Sequence, residues 1–180
     1  MAHSDKYKKA LAFATIKHDG QFRIGGLPYI THPIAVAEIL NDRGFDESYQ
    51  IAGLFHDLLE DTDASEEEIR LLGGDDVLEA VLLLTKRKGY IMSEYIDAIK
   101  KNNIARQVKA ADRLHNLRSA TVASEEFKRR YILESIDWYL DFTPEIPKAV
   151  KALIETLDTP IDEISFDYNE IHPSEELFTE

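Results

Sequence analysis

Apolar residues recur along most of the chain at intervals of three and four positions, the spacing that places them on one face of an α-helix. The first such stretch begins after Ser4, a residue that can cap a helix, and reaches about His18. Pro33 suits the first position of a second helix, which extends to about Asp42. A third stretch covers residues 47–59. No segment alternates convincingly between apolar and polar residues, so we expect helices without strands.

The rest of the chain continues the helical pattern. Ser65 and Glu68 form a capping box, a serine followed three residues later by a glutamate, and Ser93 can cap a later helix. We expect the remaining helices over 65–72, 76–84, 93–101, 104–117, 125–140 and 144–157. The sequence therefore predicts an all-α fold, a single bundle of about eight to ten helices.

Length and composition favour one folded domain. The chain has 180 residues, of which 44% are hydrophobic, and this is enough to build one core. The helical pattern stops near residue 158, and the segment 159–180 is acidic with scattered aromatic residues. We expect a domain over 1–158 and an acidic C-terminal tail over 159–180.

Composition also excludes several classes of protein. There is no cysteine, so disulfide frameworks, thiolate zinc sites and thiol nucleophiles are excluded. No apolar run approaches the roughly 18–20 residues of a membrane span, and the N-terminus has no apolar signal-peptide core, so we expect a cytoplasmic protein. The net charge of -13 disfavours a general nucleic-acid-binding protein. It still permits a small anionic substrate in a cleft with local positive charge.

Four titratable residues follow the apolar segment 51–55. His56 and Asp57 come first, and Glu60 and Asp61 follow one helical turn later. Burying such groups costs free energy unless a partner compensates them. A metal ion bound by His56 and Asp57 would do so, and Glu60 and Asp61 would then lie close enough to act on water bound to the ion. The alternative is a core histidine beside a solvated acidic helix end.

Two further residues complete a candidate metal site. His32 lies at a helix start, and Asp112 is a single carboxylate on a helix face of alanine and leucine, where it needs a metal or an ion-pair partner such as an arginine. With His56 and Asp57 they offer two imidazoles and two carboxylates. This mixed donor set suits an octahedral first-row ion with open water positions. Mn²⁺ is the first choice, and iron, zinc and magnesium are the alternatives.

Four motifs follow one another between His18 and Asn116, within a similar segment that covers roughly residues 5–157. They are His18-x-Gly20-Gln21-x-Arg23, Gly26-x-Pro28-Tyr29-Ile30-x-His32-Pro33, His56-Asp57-x-x-Glu60-Asp61-Thr62 and Lys109-x-Ala111-Asp112-Arg113-Leu114-His115-Asn116. In this order they resemble the hydrolase domain of RelA/SpoT homologues in the HD phosphohydrolase superfamily. The chain looks most like the stand-alone small alarmone hydrolases, which only degrade their nucleotide.

The resemblance implies hydrolysis of the 3′-pyrophosphate of (p)ppGpp to GDP or GTP and pyrophosphate. Glu60 and Asp61 match the pair that orients or deprotonates the attacking water. Arg23 matches a loop arginine that packs on the guanine, and Asn116 a residue that contacts the nucleotide. The ligands of Mn²⁺ would be His32, His56, Asp57 and Asp112. Tyr29 and His18 would support the loop.

Two positions depart from the family pattern. Ile24 stands where a lysine commonly follows the loop arginine, and Ser119 stands where a threonine is common. The serine keeps the hydroxyl, but the missing lysine removes a contact to phosphate or base. Lys86, in the basic run 86–88, and Arg118 are candidates to replace that contact.

Three alternatives stay open. The first is the same chemistry on another nucleotide, such as NADPH or, for an antitoxin, a pyrophosphorylated tRNA 3′ end. The second is a nucleotidase that acts on deoxynucleotides, which the loop sequence Gly-Gln-x-Arg … Pro-Tyr disfavours. The third is a catalytically silent module that senses the alarmone or blocks a partner.

Overall fold

Helices joined by loops make up the described structure. The computed structural model describes residues 3–158. Its helices are α1 (Asp5–Lys17), α2 (Thr31–Asp42), α3 (Glu47–Phe55), α4 (Leu58–Asp61), α5 (Glu66–Gly73), α6 (Asp75–Leu84), α7 (Met92–Lys101), α8 (Asn103–Ser119), a 3₁₀ helix (Ala120–Val122), α9 (Glu125–Trp138) and α10 (Glu145–Ile154). Within this range, extended pairing is limited to one isolated bridge between Phe22 and Pro28. The predicted all-α fold of eight to ten helices is confirmed.

The described residues divide into two compact units after His115, within α8. The first unit contains α1 to α7 and most of α8. The second contains the last turn of α8 and the helices α9 and α10, which pack against each other. The predicted tail, 159–180, lies outside the described residues, and the single domain over 1–158 stays a prediction. Among the helices of residues 3–158, none has both the length and the apolar character needed to cross a membrane.

Side-chain caps begin several of these helices, as the sequence predicts. The Ser4 hydroxyl oxygen accepts a backbone N–H from the first turn of α1 at 3.0 Å. Ser65 accepts the N–H of Glu68, and the Glu68 carboxylate accepts the N–H of Ser65, which forms the capping box of α5. The predicted cap at Ser93 is wrong. Helix α7 begins one residue earlier, at Met92, and its N-terminus has no side-chain cap.

The contact between α2 and α3 is the most extensive helix pairing in the first unit. Gly53 permits it, because a methyl group on its Cα would lie 3.0 Å from Leu40 Cδ1 and 3.3 Å from the backbone nitrogen of Ala37. The surrounding apolar side chains are fully buried: Val36, Leu40, Ile51, Leu54 and Phe55. This close approach places His32, in the first turn of α2, beside His56, the residue that follows α3.

The predicted third helix, 47–59, is interrupted. His56 and Asp57 lie between α3 and α4 and belong to neither helix. His56 Nδ1 donates a hydrogen bond of 2.8 Å to the carbonyl of Gly53. In an uninterrupted helix that carbonyl would accept the N–H of Asp57, so the imidazole competes with the backbone for it. One continuous helix is therefore the wrong prediction, and the polar pair lies at the break.

Replacing Gly53 with alanine should destabilise the protein. Alanine favours a helix by about 1 kcal/mol relative to glycine. Here, however, its methyl group would press against Leu40 and the α2 backbone, and overpacking of this kind typically costs about 1–3 kcal/mol. We expect the free energy of unfolding, measured by urea denaturation, to fall by roughly 1–2 kcal/mol. Ser48→Ala, in the same helix, is the control and should change it by less than about 0.5 kcal/mol. An unchanged Gly53→Ala protein would contradict the close packing.

Candidate metal centre and active site

Two imidazoles and two carboxylates converge in the first unit. His32 Nε2 and His56 Nε2 are 3.2 Å apart. Asp57 Oδ2 lies 2.9 Å from His56 Nε2 and 3.8 Å from His32 Nε2. Asp112 Oδ1 lies 3.1 Å from His32 Nε2 and 3.7 Å from His56 Nε2. The structure therefore brings the four predicted ligand residues around one point.

The electrostatics of this cluster favour a cation at its centre. Burial lowers the pKa of His56, but the carboxylates of Asp57 and Asp112 outweigh burial and raise it to about 10. His32 has a lowered pKa because burial outweighs the same carboxylates. Burial also raises the pKa of Asp57, but the charge of His56 lowers it to about 2. The two carboxylates therefore make the space between the imidazoles strongly negative, so a divalent ion fits this site by charge as well as by donor atoms.

Partners outside the cluster orient three of these side chains. The Gly53 carbonyl accepts from His56 Nδ1, which directs Nε2 into the cluster. The Tyr29 hydroxyl donates to Asp57 Oδ2 at 2.6 Å, and its own pKa is raised by burial and by the Asp57 charge. Lys109 Nζ donates to Asp112 Oδ2 at 2.9 Å, while Oδ1 faces the imidazoles. Such outer partners fix the orientation and basicity of metal ligands.

Lys109 has no predicted role in the sequence beyond its place in the last motif, yet it contacts a predicted metal ligand. It lies three residues before Asp112 on the same helix, the spacing at which opposite charges meet. Burial raises the pKa of Asp112, but the ammonium of Lys109 and the hydrogen bonds of both imidazoles together hold that pKa well below its usual range. The partners of this buried aspartate thus include a lysine and two histidines. Tyr29 also does more than support its loop, because it contacts a predicted ligand directly.

Glu60 and Asp61 lie in α4, immediately beyond the break. Glu60 Oε2 accepts the backbone N–H of Lys86 at 2.9 Å. The Gln21 side chain donates to the backbone carbonyl of Asp61 at 2.8 Å, which ties the loop after α1 to the end of α4. Partial burial, and then the charges of Asp57 and Glu60, raise the pKa of Asp61. The pair therefore offers a fixed carboxylate and a second one that is more basic than usual.

The predicted substrate-binding residues fall in three places. Arg23, in the loop before α2, has its Nη1 atom 3.2 Å from His115 Nδ1. Lys86 follows α6 and, with Glu60, lines a cavity of about 500 Å³ that also includes the basic residues Arg87 and Lys88. The last turn of α8, in the second unit, contains the other three: Asn116, Arg118 and Ser119.

Comparison with known proteins identifies the family. A family model described as "HD domain" matches residues 10–143. The chain belongs to the HD domain family. Membership implies a bound divalent metal ion, and the cluster of His32, His56 and Asp57, whose donor atoms all lie within 4.8 Å of one another, agrees with this.

Two bacterial relatives support the resemblance to RelA/SpoT homologues. A "GTP pyrophosphokinase" of Myxococcus xanthus is 34% identical over 91% of this chain and 23% of its own length. A "Probable guanosine-3′,5′-bis(diphosphate) 3′-pyrophosphohydrolase" of Synechocystis is 35% identical over 90% of this chain and 22% of its own. The chain thus spans less than a quarter of these curated relatives.

A solved structure matches at nearly full length. It is described as a metazoan ortholog of SpoT that hydrolyzes ppGpp and plays a role in starvation responses. It shares 29% sequence identity and a TM-score of 0.71, over 86% of this chain and 97% of that one. A crystal structure from Listeria monocytogenes matches with 28% identity and a TM-score of 0.56, over 71% of this chain and 98% of that one. The fold and the resemblance inferred from the motifs are confirmed.

Tyr29→Phe should weaken metal binding while preserving the fold. The change removes only the hydroxyl that donates to Asp57 Oδ2. Loss of such an outer partner typically lowers metal affinity by about 10–100-fold. The measurement is calorimetric titration of metal-free protein with Mn²⁺. Tyr49→Phe, on α3, is the matched control and should bind as the wild type does. Equal Mn²⁺ affinity of the Tyr29→Phe protein and the wild type would show that Tyr29 does not support metal binding.

Proposed function

We propose that this protein hydrolyses the 3′-pyrophosphate of (p)ppGpp, releasing GDP or GTP and pyrophosphate. The observation that carries the proposal is the buried pair of imidazoles and pair of carboxylates with Glu60 and Asp61 one turn away. The Synechocystis relative is named for this reaction, and the metazoan ortholog is described as hydrolysing ppGpp. Because the chain spans only part of its curated relatives, we propose the activity for the domain 1–158, acting in the cytoplasm on a small nucleotide.

We assign the metal to the clustered donors and name Mn²⁺ as the preferred ion. The proposed ligands are His32, His56, Asp57 and Asp112. Two nitrogen and two oxygen donors suit a first-row divalent ion better than calcium, which prefers oxygen alone. When bound, the ion supplies Lewis acidity toward water and neutralises phosphate charge.

Two carboxylates of the chain, those of Asp61 and Glu60, act on the attacking water and its proton in this proposal. Asp61, with its raised pKa, accepts the proton of the attacking water, and Glu60, fixed by the Lys86 N–H, orients that water. The water oxygen bonds to the phosphorus next to the ribose 3′ oxygen, and the bond between that phosphorus and the 3′ oxygen breaks. The proton passes to the departing 3′ oxygen, so the products are pyrophosphate and GDP or GTP.

Five residues are proposed to bind the nucleotide. Arg23 offers a planar guanidinium to the face of the guanine. Asn116 and Ser119 offer hydrogen-bonding groups to the ribose and phosphates. Lys86 and Arg118 supply positive charge for the phosphates, and the position of Lys86 beside Glu60 supports its part in this set.

One observation favours a second substrate for the same chemistry. The side chain of Ile24 is 60% exposed, and it shares its loop with Phe22 and Leu27, which are 67% and 61% exposed. The loop beside Arg23 therefore presents apolar surface where family members present a lysine. NADPH and a pyrophosphorylated tRNA 3′ end are the substrates to test if this loop has changed specificity.

The direct test is incubation of metal-free protein with ppGpp, with and without Mn²⁺, and separation of the products by ion exchange. We expect release of GDP and pyrophosphate only with Mn²⁺, loss of release on addition of EDTA and recovery when excess Mn²⁺ is restored. Hydrolysis of NADPH or tRNA but not ppGpp would show that the proposed substrate is wrong and that the proposed type of reaction is right. Protein that binds Mn²⁺ but hydrolyses none of the three would be a binding module, and the proposed reaction would be wrong.

Removing the basicity of Glu60 and Asp61 should abolish turnover and leave the metal bound. Exchange of both for the amides, Glu60→Gln with Asp61→Asn, should lower kcat by about 10²–10⁴-fold, the usual contribution of general acid–base catalysis. Mn²⁺ content, measured by elemental analysis, should stay at the wild-type level. Asp63→Asn, two residues further on, is the control and should retain activity. A double variant with wild-type kcat would show that neither carboxylate handles the proton.

A further inference from the structure

His115 connects the metal cluster to the loop of Arg23. It lies in α8, three residues after Asp112, and so on the same face of the helix. Its Nδ1 atom is 2.8 Å from His32 Nδ1 and 3.2 Å from Arg23 Nη1. The two imidazoles lie with ring centres 5.0 Å apart at an angle of 32°. One nitrogen of His115 therefore meets a proposed metal ligand and a proposed substrate-binding residue.

The chemistry of these contacts fixes where the protons lie. A guanidinium donates hydrogen bonds and accepts none, so His115 Nδ1 must accept from Arg23. That nitrogen then has no proton, and His115 is neutral with its proton on Nε2. Because His115 Nδ1 is an acceptor, His32 Nδ1 must donate to it across the 2.8 Å contact. The remaining nitrogen of His32, Nε2, then directs its lone pair at Asp112 and His56, as a metal ligand requires.

We propose that His115 is a positioning residue that sets the tautomer of His32 and the orientation of Arg23 through one shared acceptor nitrogen. It would act on the metal through His32 and on the nucleotide through Arg23. Its effect on the metal rests on the proposed ligand role of His32, and its effect on the nucleotide rests on the proposed function. Because both contacts use the same atom, metal binding at His32 and nucleotide binding at Arg23 are energetically coupled, and the coupling acts equally in both directions.

A neutral imidazole suits this position better than the carboxylate that often accepts from a metal-bound histidine. A carboxylate would hold Arg23 in a charge-assisted pair and keep its guanidinium from the nucleotide. It would also add negative charge beside a site that must accept phosphates. A neutral acceptor orients both donors and leaves the positive charge of Arg23 available for the substrate.

The test compares three substitutions that differ in where they offer an acceptor. His115→Asn places its side-chain oxygen where Nδ1 lies, His115→Gln reaches instead toward the position of Nε2, and His115→Leu has no acceptor. The primary measurement is the Mn²⁺ affinity of metal-free protein by calorimetric titration, with circular dichroism to confirm folding. We expect affinity to fall about 10–100-fold in the leucine and glutamine proteins and to stay near the wild-type value in the asparagine protein.

The second measurement is ppGpp hydrolysis at saturating Mn²⁺. We expect KM to rise in His115→Leu and in Arg23→Ala, and the double variant to show less than the product of the two effects because both remove one interaction. Multiplicative effects on KM would overturn the coupling. Equal metal affinity of the asparagine and glutamine proteins would overturn the positioning role, even if the leucine protein fails to fold. If wild-type protein binds Mn²⁺ but does not hydrolyse ppGpp, the proposed function fails, and the metal titrations still decide the role of His115 at the metal.

Discussion

The hydrogen bond from His56 Nδ1 to the Gly53 carbonyl is the interaction on which the site depends. It ends α3, because the imidazole takes the carbonyl that the next helical turn would use. It also commits the Nδ1 proton, so that Nε2 faces the carboxylates. The same glycine lets α2 approach α3 closely enough for the two histidines to meet, since any side chain there would press on Leu40. One residue without a side chain thus governs helix packing, helix termination and the direction of a proposed ligand.

Charge is arranged around the cluster in two layers. The inner layer is negative, since the carboxylates of Asp57 and Asp112 raise the pKa of His56 to about 10. The outer layer supplies donors and positive charge, with Lys109 on Asp112 and Tyr29 on Asp57. The donors hold each carboxylate in one orientation, which lowers the cost of burying it. A cation at the centre is then the natural complement of the inner layer.

The sequence predicts much of this because its signals are local. Periodic apolar residues and the serine caps at Ser4 and Ser65 locate helix starts to within a residue or two. The His-Asp pair after a buried run identifies the centre, since unpaired buried charge is costly. The break at His56 and Asp57 is not visible in the apolar pattern, which continues through Leu58. It depends on a side-chain hydrogen bond to a backbone carbonyl, and hydrophobic periodicity does not report such bonds.

The sequence also does not reveal the contacts that join residues of the site from distant segments of the chain. Asp112 and His115 lie on one helical face, but His115 gains its role from Arg23 and His32, which are 92 and 83 residues away along the chain. Such contacts also show how a chain with a net charge of -13 places positive charge where the proposed substrate would bind. Arg23 contacts His115, and Lys109 contacts Asp112, so two positive charges are fixed beside the proposed metal site. Local placement of a few cations outweighs the distant surface carboxylates, whose field is screened within about 8 Å at physiological ionic strength.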